Sequence, residues 1–328
     1  MLSTGDELVE INEIPIGSQI RDSNRHSLIS SLKADGLKVI DYGIVRDKEA
    51  DLEARMVGAS ADCDIVITTG GVSMGVADLV KPLLAKLGVI HFGRLNMKPG
   101  KPTTFATIPK AGGGQTLFFG LPGNPVSCLV TKSLLIEPCI RKLQGLQENK
   151  CLHPRVSVTL QSKIVLDPER PEYHRARVFS SRARADRLLG DVDLDQSGLV
   201  AWSTGDQRSS RLMSMKSYNA LLCLPQGSST KGAVAEGEQV TALLIAPLLP
   251  PDASVVTELL PSVNSSSSSA SASAVQQESK RAKMDLAAAA ASSTATTTHS
   301  PAPAARRPMR IALLTVSDRV RSVAPLLL

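Results

Sequence analysis

Three short stretches of the sequence carry residue types that suit anionic ligands. Thr68-Thr69-Gly70-Gly71-Val72-Ser73-Met74-Gly75 follows the apolar run Asp64-Ile65-Val66-Ile67. A β-branched run that breaks into glycines and resumes as a helical pattern is a strand–loop–helix unit. Backbone N–H groups at such a junction suit a phosphate, because a helix N-terminus carries partial positive charge and unpaired donors. In Lys98-Pro99-Gly100-Lys101-Pro102 the prolines fix φ and Gly100 permits a sharp turn. Lys98 and Lys101 therefore sit as two ammonium groups on a stiff loop, an oxyanion site with little ordering cost. Gly120-Leu121-Pro122-Gly123-Asn124-Pro125 places a tight turn before a proline suited to the first position of a helix. Its free N–H groups suit a second phosphate.

Carboxylates recur at the same kind of position: Glu7, Asp22, Asp47 and Asp78. Acids facing a phosphate loop repel the ligand unless a cation lies between, and Mg²⁺ bridges carboxylate and phosphate oxygens in that arrangement. Asp47 and Asp78 are thus candidate metal ligands; the alternative is that each complements a helix dipole. Asp22 or Ser23 reads as an N-cap.

These groups need a frame, and residues 1–150 supply the pattern of one. Ser3-Thr4-Gly5-Asp6-Glu7 reads as a polar turn with no strand before it. Lys38–Val45 reads as a strand, preceded by a helical face of Leu28, Ile29 and Leu32. A helix over Glu49–Ser60, a strand over Asp64–Thr69 and a helix over Asp78–Leu87 follow. Val89–Phe92, Thr103–Ile108 and Thr116–Gly120 read as short strands, and Pro125 opens a helix reaching about Leu146. Alternating strands and helices predict an α/β fold of three layers, a parallel sheet with helices on both faces. Ligands of such folds bind beyond the carboxyl ends of the strands, where all three loops fall. Residues 151–250 change to short β-rich runs with turn residues between them, predicting a small β-barrel or sandwich. Trp202 and the arginines Arg175, Arg177, Arg208 and Arg211 read as its coat, with a cleft lining as the alternative. Residues 251–308, with unbroken serine, alanine and threonine tracts, read as a low-complexity disordered linker. Arg310–Arg319 resembles the first strand of another α/β domain.

Composition bounds the chemistry. The 328 residues carry net charge +6, with 42% hydrophobic and 3% aromatic residues. A core is within reach and two domains are expected. Basic residues do not interleave with aromatics in dense blocks, so a nucleic-acid partner is not expected. The five cysteines, Cys63, Cys128, Cys139, Cys151 and Cys223, form no C-x-x-C and read as buried free thiols of a reducing compartment. No apolar run reaches transmembrane length and no secretory pattern opens the chain, so a cytosolic place is expected. There is no P-loop, no H-E-x-x-H pair and no G-x-S-x-G elbow.

Taken together, Ser3-Thr4-Gly5-Asp6-Glu7-Leu8, Thr69–Gly75, Asp78-Leu79-Val80-Lys81-Pro82, Met97–Pro102 and Leu121–Ser127 resemble the molybdopterin molybdenumtransferases, in order as well as in wording. That family includes the bacterial MoeA proteins and the E domain of gephyrin and of plant molybdenum-cofactor proteins. Pro171–Arg177 and Ser209–Met215 resemble its C-terminal β-barrel. The resemblance implies insertion of molybdate-derived molybdenum into adenylylated molybdopterin, with release of AMP. It implies Glu7, Asp47 and Asp78 as catalytic acids, the last two also binding Mg²⁺. Gly70, Gly71, Ser73, Gly75, Lys98, Lys101, Pro122, Gly123 and Asn124 become the substrate-binding set. Implied partners are molybdopterin and molybdate, a second copy in a homodimer, and cytoskeletal or molybdoenzyme proteins. Leu313–Asp318 resembles the opening of the family's adenylyltransferase G domain, so a multifunctional, ATP-binding fusion in the plant-type order is expected. On this reading the chain lacks the family's N-terminal domains and stops inside the G domain. Two alternatives accompany it: a molybdopterin-binding scaffold without turnover, and an enzyme of the CinA type, which the Leu-Pro-Gly-Asn-Pro loop and the barrel argue against.

Overall fold

The structure, a computed structural model, describes residues 1–72, 78–180 and 198–248. Ser73 and Gly75, the linker 251–308 and the segment 309–328 lie outside the described residues.

The chain opens directly with a strand, β1 (Leu2–Thr4), followed by a short parallel pair, β2 (Leu8–Val9) and β3 (Ile20–Arg21), and by α1 (Ser23–Ala34). Next come β4 (Ile44–Val45), α2 (Glu49–Asp62), β5 (Ile65–Thr69) and α3 (Val80–Leu87). Then follow β6 (Val89–Phe92), β7 (Thr104–Pro109) and β8 (Gln115–Leu121). The six-stranded sheet runs β4-β1-β5-β8-β7-β6. Its first four strands are parallel; β7 and β6 are antiparallel to their neighbours, so the sheet is mixed where a parallel one was expected. The cause is local. The β7–β8 connection is a tight turn with Gly113 and Gly114 at positive φ, and a short turn can join only antiparallel strands.

Two expectations about the first strands change. Ser3–Glu7 does follow a strand: Leu2, Ser3 and Thr4 are all buried between β4 and β5, too short a run to show periodicity. The strand expected over Lys38–Val45 shrinks to Ile44–Val45, because Gly43 turns at φ 71° and β1 offers only Ser3 and Thr4 as partners. Similarly, α3 begins at Val80, leaving Asp78 in the loop before it.

Side chains alternate across β8. Leu117, Phe119 and Leu121 join Leu28, Leu32, Ile136 and Ile140 on one face, and Phe118 joins Leu52, Met56, Leu83 and Leu84 on the other. Three layers result. On the first face lies α4 (Pro125–Thr131), continued by a widened π turn (Lys132–Ile136) into α5 (Glu137–Leu143). Pro125 stands at the helix start as expected. Pro138 has no N–H to give back to the preceding turn, and the helix instead closes a wider ring from the Glu137 N–H to the Lys132 carbonyl.

After α6 (Glu148–Cys151) the chain forms the predicted barrel. Its elements are β9 (Arg155–Leu160), β10 (Ile164–Val165), β11 (Glu172–Ser180), β12 (Leu199–Ser203), β13 (Ala220–Leu224), β14 (Ala233–Val234) and β15 (Gln239–Leu244). The closed ring is β11-β12-β9-β15-β13, while β10 and β14 pair separately. Val158, Leu160, Val178 and Leu222 fill the interior with four alanines, Ala176, Ala201, Ala220 and Ala242, small enough for so narrow a ring. Outside it, Leu221, Leu243 and Met215 pack on Met97, Val126 and Val130, which fixes the barrel to the sheet domain. The arginine coat holds only in part: Arg208 and Arg211 are exposed, but Arg175 is fully buried. All five cysteines are free thiols, and Cys128, Cys139 and Cys151 are buried.

Candidate functional site

Four strands end at one rim, and glycines bring their ends into contact. Gly70, at φ +87°, has Thr4 so close that a Cβ would stand 2.4 Å from the Thr4 carbonyl oxygen. Its N–H donates to the Leu121 carbonyl at the end of β8 (3.1 Å), and a Cβ on Gly123 would stand 3.9 Å from its Cα. Gly71 would place a Cβ 2.7 Å from Val80 and 2.9 Å from the Thr4 methyl. The Gly123 carbonyl in turn accepts a 2.7 Å hydrogen bond from Asn24 of α1. So Gly70, Gly71, Pro122 and Gly123 form one continuous surface around the end of β1.

The acids sit around that surface. The Thr4 hydroxyl donates to Asp47 Oδ1 (2.8 Å), and the Asp6 and Asp47 backbones exchange contacts with each other's carboxylates (3.4 and 3.2 Å). The Glu7 carboxylate folds over Gly5 so closely that a Cβ there would lie 2.5 Å from Oε2. Asp78 precedes Val80, which covers Gly71 from the other side. Its side chain is largely buried, 3.8 Å from the Lys81 ammonium. Burial pushes the Asp78 carboxyl up, against the pull of Lys81, and its buried Oδ1 has no hydrogen-bond partner. Asp22 stands apart: it caps α1 through the Arg25 N–H and pairs with the buried Arg25 guanidinium, which also holds Glu10 and Asp41.

Beside the rim, between the sheet domain and the barrel, lies a cleft of about 460 Å³. Lys98, Lys101, Pro122 and Asn124 line one side of it, and Arg170 with the loop Gln207–Ser210 lines the other. The loop is fastened across the gap, for the Ser209 carbonyl accepts the Val126 N–H in the first turn of α4 (3.1 Å). The two lysines are not alike. Lys101 is exposed. Lys98 forms ion pairs with Glu172 (3.0 Å) and Asp167 (3.2 Å) of the barrel. Burial alone lowers the Lys98 ammonium, and these two carboxylates more than reverse that, so it is raised overall.

The structure thus brings Glu7, Asp47, Gly70, Gly71, Gly123 and Asp78 to one rim, and Lys98, Lys101, Pro122 and Asn124 to the adjoining cleft. Sequence reasoning missed Arg170 and Gln207, which line the cleft; Ser127, Ser209 and Ser210, also lining it, stood in the resemblance motifs but outside the substrate-binding set, and Arg208 takes the cleft-lining alternative. They lie at or beyond α4, in parts of the chain with no spacing that ties them to Lys98; only the barrel's closure against α4 brings them there.

Comparison with known proteins identifies the two folded regions. Residues 1–142 match the family described as a probable molybdopterin binding domain, and residues 157–245 match the MoeA C-terminal region, domain IV. The chain is 40% identical over 277 residues to a gephyrin of Dictyostelium discoideum, covering 76% of this chain and 36% of that protein. It is 36% identical over 243 residues to a molybdopterin molybdenumtransferase of Haemophilus influenzae, covering 74% and 54%. The crystal structure of a molybdopterin biosynthesis MoeA protein from Pyrococcus horikosii superposes with a TM-score of 0.55 at 27% identity, covering 75% and 54%. The chain therefore spans about half, or less, of the length of these relatives. Among the described residues no helix is long and apolar enough to cross a membrane. By these two domain matches and these relatives, the chain belongs to the MoeA–gephyrin family, carrying a molybdopterin-binding domain over residues 1–142 and a domain IV over residues 157–245.

Proposed function

We propose that the chain serves the molybdenum-insertion step of cofactor biosynthesis: it holds adenylylated molybdopterin across the glycine rim and molybdate in the cleft, and AMP is released. The observation that carries this reading is the direct contact of the β1, β5 and β8 ends through Gly70, Gly71 and Gly123, with Asp47 and Asp78 on either side and a cation-lined cleft adjoining. Glycines let a bulky phosphate ester lie against backbone. Lys101, Arg170 and Lys98 supply positive charge for a tetrahedral oxyanion.

Asp47 is held in one orientation by the Thr4 hydroxyl and the Asp6 N–H, which suits a group that must meet a substrate at fixed distance. Glu7 lies on the same side of the rim. Asp78 is strained in the electrostatic sense: a buried carboxyl with one orphaned oxygen. A divalent cation fits that deficit, and Asp78 and Asp47 are the residues that would hold it, with substrate oxygens completing the shell. Among the described residues no cluster of three or more metal-ligating side chains exists to hold one unaided. When bound, Mg²⁺ supplies charge neutralisation at the phosphates. The homodimer, the ATP-binding G domain and a cytosolic place belong to the same proposal through the family.

The test is direct. The full chain is given adenylylated molybdopterin and molybdate, and AMP release and molybdenum incorporation are followed. Asp47→Asn is expected to bind the adenylate and release at least tenfold less AMP. Turnover equal to wild type removes Asp47 from the chemistry. Tight adenylate binding with no AMP release from the wild-type chain favours the second reading, a molybdopterin-binding scaffold.

A further inference from the structure

Lys98 is the first member of a hydrogen-bonded row that leaves the cleft and returns to it. Lys98 Nζ meets Glu172 Oε2 (3.0 Å), and Glu172 Oε1 meets His174 Nδ1 (3.0 Å). His174 Nε2 meets Ser203 Oγ (2.7 Å), and Ser203 Oγ accepts the Gly205 N–H (3.1 Å) at the root of the Gln207–Ser210 loop. Glu172 and His174 are buried, two residues apart on β11 and therefore on the same side of that strand. The Ser203 hydroxyl keeps one proton and a second lone pair, so it can donate to His174 Nε2 when the imidazole carries its proton on Nδ1, or accept from Nε2 and donate to the Gly205 carbonyl when both ring nitrogens are protonated.

We propose that Glu172 and His174 are a positioning pair for Lys98, and that gain of a proton by His174 tightens the hold of the cleft on a tetrahedral dianion. This rests on the reading of the cleft as an oxyanion site. With His174 neutral, Lys98, Asp167, Glu172 and His174 together carry one net negative charge, an odd balance beside an anion site. With His174 protonated they carry none, Glu172 is shared between two cations, and the Lys98 charge is felt more fully in the cleft. The Ser203 hydroxyl must then turn toward the Gly205 carbonyl (3.5 Å), which links the same event to the loop. Other charged groups frame the pair: Arg170 and Arg208 line the cleft, Asp206 holds Arg208, and the buried Arg175 acts on Glu172 through space. Burial pushes the Glu172 carboxyl up, but His174 and Lys98 together hold it below its ordinary value.

The experiment is a calorimetric titration of the full chain with molybdate from about pH 8 down to about pH 5.5. Wild type is expected to bind about fivefold more tightly at the lower pH, and His174→Gln to lose that dependence and keep the weaker affinity. A His174→Gln variant with the wild-type slope, or a flat wild type, overturns the inference. Wild type that fails to bind molybdate at any pH overturns the cleft reading beneath it, a distinguishable failure. Should the variant not fold, the wild-type His174 ring is titrated by NMR with and without molybdate. Reciprocity requires bound anion to raise the His174 midpoint by the logarithm of the same factor, about 0.7; an unmoved midpoint refutes the pairing.

Discussion

At the glycine rim, distances are set by side chains that are missing; in the cleft a few ångströms away, they are set by charged side chains that hold one another. Gly70 and Gly71 let the strand ends close on Thr4, Gly70 against its backbone carbonyl and Gly71 against its methyl and Val80. Lys98 is placed by Glu172 and Asp167, residues more than sixty positions further along the chain. A site built from backbone is rigid and breaks when any atom is added. One built from ion pairs tolerates added volume but answers to charge, pH and salt.

That contrast makes ordered predictions. The largest effect is expected at the rim. Gly70→Ala sets a Cβ against the Thr4 carbonyl at a positive φ, and unfolding in urea should show a loss of about 3 kcal/mol or failure to fold. A Gly70→Ala protein as stable as wild type breaks the account of the rim. Gly113→Ala is the control, for it shares the positive φ but has nothing within 4 Å, so a loss of only about 1 kcal/mol is expected.

Next comes an ionic group of the same kind as the cleft's, at the junction of the two domains. Glu137 meets Lys132 (2.7 Å), His153 (3.0 Å) and Arg141 (3.4 Å). Burial pushes its carboxyl up, but the hydrogen bonds from His153 and Lys132 prevail and hold it at about 2, against an ordinary 4.5. A depressed carboxyl contributes stability above its unfolded value and loses it below. Wild type should thus lose up to about 3 kcal/mol as pH falls from about 4.5 to about 2, and Glu137→Gln should lose a similar amount at pH 7 and be flatter in acid. Parallel acid-unfolding curves for the two proteins would refute this.

Within the cleft the two lysines should part company. Lys98→Ala leaves buried Glu172 without its cation and is expected to lower the melting temperature by several degrees while weakening molybdate binding. Lys101→Ala, at an exposed side chain, should leave the melting temperature unchanged and weaken molybdate binding alone. Identical behaviour of the two variants would erase the distinction drawn between them.

The same contrast explains what the sequence could disclose. Gly70 and Gly71 stood out because they break a β-branched run, and Gly123 because it turns the chain just before a helix-opening proline. The barrel announced itself by short strands and turns, and Asp22 by its place before a helix. Arg170 and Gln207 were not legible, since nothing local marks an arginine or glutamine that will face a lysine from another domain. Arg175 was misread for the same reason: an arginine in a strand looks like a surface residue until Ser214 and the carbonyls of Asp206 and Arg208 close over it. The strand at Leu2–Thr4 was too short for periodicity, and only its neighbours make it one.

The Ser209 carbonyl that receives the Val126 amide also governs how the cleft can breathe. Swinging the barrel outward would strip that amide of its acceptor at a cost of about 1 kcal/mol and pull Leu221 and Leu243 from their apolar seat. The gap is thereby shaped before any guest arrives: a ligand meets two walls whose separation is already fixed and spends none of its binding energy on drawing them together.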